Sequence, residues 1–186
     1  VLQRDLGDSE GGLKPIERAF NQEPDKLQFR LLYAQTLFTQ GQFTKSIAVL
    51  EQTPPSEASP DRYWLVLGDA FYADGQLEKA AEITEDWISK RPNNEDAYVR
   101  LIALHDINKK YAQALLVAKT AQQKFSKEEQ FGMLVTFFSL VTGDLKAAEL
   151  TFSNLTDSAR ESVSGQGLMG QILLEKGDAK SALPKL

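Results

Sequence analysis

The sequence predicts an all-α protein, an array of stacked helix-turn-helix repeats, and three observations predict it. Gly7, Gly41, Gly75, Gly143 and Gly177 share one phase at a step of 34 residues, with Lys109 on the remaining site and no insertion between them. A fixed period of that size marks a chain built from stacked supersecondary units. Around each turn site, apolar residues recur every three or four positions, as a buried helical stripe requires. Proline and asparagine close the units, most plainly at Pro92, Asn93 and Asn94.

The register divides the chain as a single array, residues 1–186: a half repeat at 1–26, full repeats at 27–60, 61–94, 95–128 and 129–162, and a half repeat at 163–186. Because the chain starts inside a repeat, it is expected to be part of a longer protein. The absence of a targeting segment then says nothing.

Taken in order, the first half repeat offers one helix, with Pro15 placed in its first turn, where a missing N–H is harmless. In 27–60 the anchors are Tyr33, Leu37, Phe43, Ser46 and Leu50 around Gly41. Its second helix must stop near Thr53 because Pro54 and Pro55 follow, leaving a polar loop to Pro60. In 61–94, Trp64, Leu67, Phe71 and Leu77 mark the inner face. Gly75 suits a left-handed cap, and small Ala80 and Ala81 let the second helix approach. In 95–128, Tyr98, Leu101, Tyr111, Ala114, Ala118 and Ala121 repeat the pattern with Lys109 in place of glycine. In 129–162 they are Val135, Leu145, Ala148 and Phe152, with a polar connector expected over 157–164. The last half repeat carries Gly165, Gly167 and Gly170 inside its helix, so fraying is expected there.

These residues resemble the tetratricopeptide repeat, whose pattern W-x2-L-G-x2-Y, then Ala, an aromatic and Pro, falls on Trp64, Leu67, Gly68, Phe71, Ala80 and Pro92. Thr84 replaces the late aromatic. Trp87 stands where a small residue is usual, and is expected to push helices apart or to fill a gap. The resemblance implies an α-solenoid, a right-handed superhelix whose first helices line a concave groove for a peptide or a helix of another protein.

The resemblance places the groove at the second, fifth, ninth and twelfth positions of each first helix. The fifth positions are Leu31, Leu65, Val99, Met133 and Gly167; the ninth are Gln35, Asp69, Ala103, Phe137 and Gln171. The twelfth include Phe38, Tyr72, Leu140 and Leu174, and the second Gln28, Arg62, Asp96, Gln130 and Ser164. Only Arg62 and Arg100 could bring positive charge, so a carboxylate clamp is not expected. The expected site is a semi-apolar groove for a peptide or an amphipathic helix. Alternatively, these residues pack on one another or on further repeats.

Composition closes off other classes. Net charge is −5, with acids and bases mixed and no basic stripe, so nucleic acid is not an expected partner. No apolar run nears the roughly 20 residues of a membrane span. Without cysteine there is no disulfide, thiolate nucleophile or thiolate metal site. His105, the only histidine, aligns with buried Leu37 and Phe71 and is read as structural. Gly165–Gly167–Gly170 matches G-x-G-x-x-G, but neither the strand nor the later acid of a dinucleotide site accompanies it. No enzyme activity, metal or cofactor is expected. The expected function is a non-catalytic scaffold for protein or peptide partners, with self-association through exposed Leu183, Leu186, Val1 and Leu2. The alternative is an assembly factor in polysaccharide export, secretion or cytochrome maturation, since the chain is similar in texture to repeat proteins of exopolysaccharide systems. Compartment stays open between bacterial cytoplasm and envelope.

Overall fold

The computed structural model describes residues 9–186; expectations for Gly7, Val1 and Leu2 lie outside the described residues. Every regular element among them is helical, and they fall into two compact units divided between Asn93 and Asn94.

The first unit holds α1 (Ser9–Gln22), α2 (Leu27–Thr39), α3 (Phe43–Glu51), α4 (Asp61–Ala73) and α5 (Leu77–Lys90). The second holds α6 (Glu95–Ile107), α7 (Tyr111–Lys124), α8 (Glu129–Val141), α9 (Leu145–Ser153), α10 (Asp157–Glu161), α11 (Val163–Glu175) and α12 (Ala179–Ala182), then a 3-10 turn, Leu183–Lys185. The first helices α2, α4, α6, α8 and α11 are each 13 residues long. They begin at Leu27, Asp61, Glu95, Glu129 and Val163, on the same 34-residue step as the turns.

Each first helix ends the same way. Gly41, Gly75, Gly143 and Gly177 have φ between +74° and +80°. The next residue's N–H then reaches back to a carbonyl in the helix's last turn: Gln42 to Leu37 at 2.9 Å, Gln76 to Phe71 at 2.9 Å, Asp144 to Ser139 at 2.8 Å. This is the Schellman closure, which needs one left-handed residue. Lys109 adopts the same geometry at φ 56°, and Lys110 N–H bonds His105 O at 2.7 Å.

One turn after each hairpin, Ser46, Ala80, Ala114, Ala148 and Ala182 are fully buried. They again recur every 34 residues, where two helices meet at backbone range. Ser46 is accommodated because its hydroxyl donates to Ala34 O at 2.8 Å. Large residues fill the space beside these contacts. Trp64 stacks on Trp87 at 6.4 Å with planes 3° apart, and its indole donates to Asp86 Oδ2 at 2.9 Å. Trp87 is thus a gap filler, only 2% exposed, and α5 stays regular around it.

Two departures from expectation have physical reasons. Pro15 lies in the interior of α1 rather than in its first turn. An interior proline costs roughly 3 kcal/mol; beyond it, Phe20 is buried and stacks on Tyr33 of α2 at 5.1 Å, and the Tyr33 hydroxyl donates to Glu17 at 3.1 Å. The stretch after Asn154 is not a plain connector. Thr156 caps a short helix, α10, by accepting the Ala159 N–H, and Ser162 caps α11 by accepting that of Gly165. Leu183 and Leu186 are exposed as expected, and the Leu186 side chain lies over Gly170.

The loop over 52–60 is held by Arg91, at the end of α5. Its guanidinium donates to Glu57 O and, at 3.2 Å, to Ser59 O. It also pairs with Asp61 at 3.6 Å and lies over the Trp64 ring.

Candidate docking groove

The first helices carry their register positions on one face, and each unit is described by itself. In the first unit, Leu31 and Arg62 come together with Leu27, Gln28, Leu32 and Pro60 around a depression of about 460 Å³. Leu31 is nearly buried and forms an edge of it, while Leu32 beside it is 43% exposed. Gln35 is half-buried, and its amide oxygen is sealed from water with no hydrogen-bond partner. Phe38 is half-buried against Phe43, ring centres 5.5 Å apart. Leu65 and Asp69 are half-buried on α4, and Tyr72 is exposed at its end.

The second unit gathers more of the expected row. Val99 from α6, Met133 and Phe137 from α8, and Gly167 from α11 line one depression of about 490 Å³ with Gln130, Leu134, Ser164, Leu168 and Gln171. Phe137 is braced edge-on by buried Phe138 at 4.9 Å. None of the nine lining residues is ionisable. Leu140, further along α8, packs against the core cluster of Phe152, Leu155, Leu168 and Ile172. Arg100 and Ala103 are exposed on α6 and do not line this depression. Gln130, Ser164, Gly167 and Gln171 could be read from the repeat register; Leu134 and Leu168 stand one position beyond the row and carried no signal of their own.

A third depression, of about 440 Å³, has an apolar floor of Phe152, Met169, Ile172 and Leu173. Its cations already have neighbours: Lys176 pairs with Glu149 at 2.6 Å, Lys185 donates to Gln166 at 2.8 Å, and Arg160 donates to Ser153 O at 3.1 Å and to Asp157. Met169, Ile172 and Leu173 occupy the register positions of Leu67, Ala70 and Phe71, which are buried in the first unit. This is therefore a helix-packing face. The helix that follows α11, α12, spans four residues and leads into the 3-10 turn at Leu183–Lys185.

No side-chain pair in either groove depression has the nucleophile-and-base geometry of a catalytic site. His105 is buried on the packing face of α6.

Comparison with known proteins points the same way as the geometry. Residues 5–70 match a family model described as tetratricopeptide repeat. No curated protein matches the chain. Among solved structures, the fold is similar to MamA from Desulfovibrio magneticus RS-1, with 19% identity over 87% of this chain and 91% of that one and a TM-score of 0.67. It is similar to YrrB, described as a TPR protein with an unusual peptide-binding site, with 14% identity, 91% and 88% coverage and a TM-score of 0.67. A tetratricopeptide repeat protein from Parabacteroides merdae ATCC 43184 aligns over 97% of this chain and 72% of its own, at 13% identity and a TM-score of 0.69. At these identities the likeness is one of fold.

Proposed function

We propose that this chain, whose residues 5–70 match a tetratricopeptide repeat model and whose fold is similar to that of solved repeat proteins, is a non-catalytic interaction scaffold whose first helices dock a peptide or an amphipathic helix of a partner. The observation that carries this reading is the depression around Val99, Met133 and Phe137: mostly apolar, lined by no ionisable side chain, and open to solvent. Apolar surface gathered in a concavity with a few polar groups is the usual form of a recognition site. YrrB, of similar fold, is described by its peptide-binding site, and that likeness supports the same use of the fold here.

The test is a random linear peptide library displayed on phage and panned against the full chain. Wild type is expected to enrich peptides. The Leu65→Glu and Met133→Glu double variant is expected to lose them while keeping its helical circular dichroism, because a glutamate buried under an apolar ligand has no partner. Equal enrichment by both proteins would overturn the proposal. Exposed Leu183 supports self-association as a second property of the scaffold, read by light scattering as mass rising with concentration; a constant monomer mass would remove it.

A further inference from the structure

Three glycines interrupt α11, and two of them have packing reasons. A Cβ on Gly165 would stand 2.1 Å from Ala159 O, and one on Gly170 would stand 2.8 Å from the Leu186 side chain. Gly167 has no such reason: nothing lies within 4 Å of where its Cβ would be. Its φ is not left-handed either. It therefore carries the helix-weakening cost of glycine with no return in packing or turn geometry.

Its register position shows what the missing side chain does. The equivalent sites on α2, α4, α6 and α8 carry Leu31, Leu65, Val99 and Met133, a row of bulky apolar groups. At Gly167 that row is broken, and the gap opens into the depression of about 490 Å³ between Met133, Phe137 and Leu168. The polar groups at its edge are two amides and a hydroxyl, from Gln130, Gln171 and Ser164. These both donate and accept. An extended backbone has free N–H and C=O groups to meet them, whereas a helix has already paired its own. A charged ligand group would be desolvated there without a counter-charge.

Resting on the groove reading above, the geometry points to Gly167 as a specificity-determining residue: it leaves a notch for one large apolar side chain of an extended, uncharged peptide segment, whose backbone is met by Gln130, Ser164 and Gln171. The occupant is thus narrower than the general reading, an extended strand-like segment and not a helix.

The experiment uses a synthetic copy of the peptide best enriched from the phage library, titrated calorimetrically against the full chain and its variants. The enriched sequences are expected to share a Leu, Met, Phe or Trp flanked by uncharged residues. Gly167→Leu is expected to weaken the peptide by about tenfold or more, the scale of burying one such side chain, and Gly167→Ala by less. Truncating the peptide's bulky residue to alanine should cost affinity in wild type and little in Gly167→Leu. Thermal melts should show Gly167→Leu at least as stable as wild type, since it replaces a helical glycine; loss of binding then does not come from unfolding. Binding lost in Met133→Glu but untouched in Gly167→Leu would sink the notch and leave the groove standing. Binding unaffected by either variant would sink both. A charged consensus, a peptide that binds as a helix, or no enriched peptide at all would also overturn the notch.

Discussion

Tyr63 shows how much one side chain does in this array. It is 1% exposed, and its hydroxyl donates to Leu50 O at 2.6 Å while lying 2.8 Å from Thr53 O. It thereby ties α4 to the shortened end of α3. Burial pushes the phenol up to about 12, with Glu51 and Asp86 adding in the same direction and Arg30 opposing. The folded chain therefore holds this proton more tightly than the unfolded chain, where tyrosine titrates near 10. The stability linked to Tyr63 is fully present below pH 10 and is lost as pH rises through 12. Burial raises Tyr33 and Tyr98 as well, so they add to the same alkaline loss. In urea denaturation across that range, Tyr63→Phe should show a shallower alkaline decline. At neutral pH it should be less stable by about 1–2 kcal/mol, the cost of stranding a buried carbonyl. Identical alkaline slopes in the two proteins would contradict this assignment.

At the scale of the element, the hairpin turn is the repeating device, and Lys109 is the copy that pays a penalty. A residue with a Cβ in the left-handed region costs roughly 1–2 kcal/mol relative to glycine. Lys109 is exposed and holds that geometry at φ 56°. Lys109→Gly should therefore stabilise the protein by about 1 kcal/mol, less the extra backbone entropy that glycine brings to the unfolded chain. The check is the denaturation midpoint; a lower midpoint would show that the lysine side chain contributes more than its backbone costs. This turn could be foreseen, because five glycines on one phase make the sixth site conspicuous. The small residues at 46, 80, 114, 148 and 182 were legible for the same reason. Pro15 was not, since local rules set the cost of an interior proline while the packing of α1 on α2, with Phe20 stacked on Tyr33, is a tertiary contact that local rules do not contain. Helix α10 was hidden in a polar stretch whose helical character rests on the Thr156 cap more than on any apolar period. In the groove, the row of register positions could be read in advance. The gathering of Val99, Met133 and Phe137 into one depression, and the near burial of Leu31, depend on how neighbouring helices sit, which a one-dimensional register does not contain.

For the whole molecule, stability in a repeat protein is close to a sum of nearest-neighbour terms. A helix with fewer neighbours should open first. Helix α12 has four residues and is followed by exposed Leu183, whereas α5 is a full 14-residue helix closed by the Trp64–Trp87 stack. Ala182 and Ala80 stand at the same register position and are equally buried. Hydrogen exchange should nevertheless release the Ala182 amide well before that of Ala80. Equal protection would mean that the chain opens as one cooperative body.

The two ways of closing a repeat carry a further consequence. Residues 43–60 spend their length on a nine-residue helix and a loop clasped by Arg91, while 77–94 spend the same length on a 14-residue helix and a short link. What is held constant is the count of residues between one first helix and the next, not the form they take. Such segments behave as interchangeable parts. A replacement of equal length can alter the outer surface, or the rigidity of a joint, while every docking helix still begins on its appointed residue.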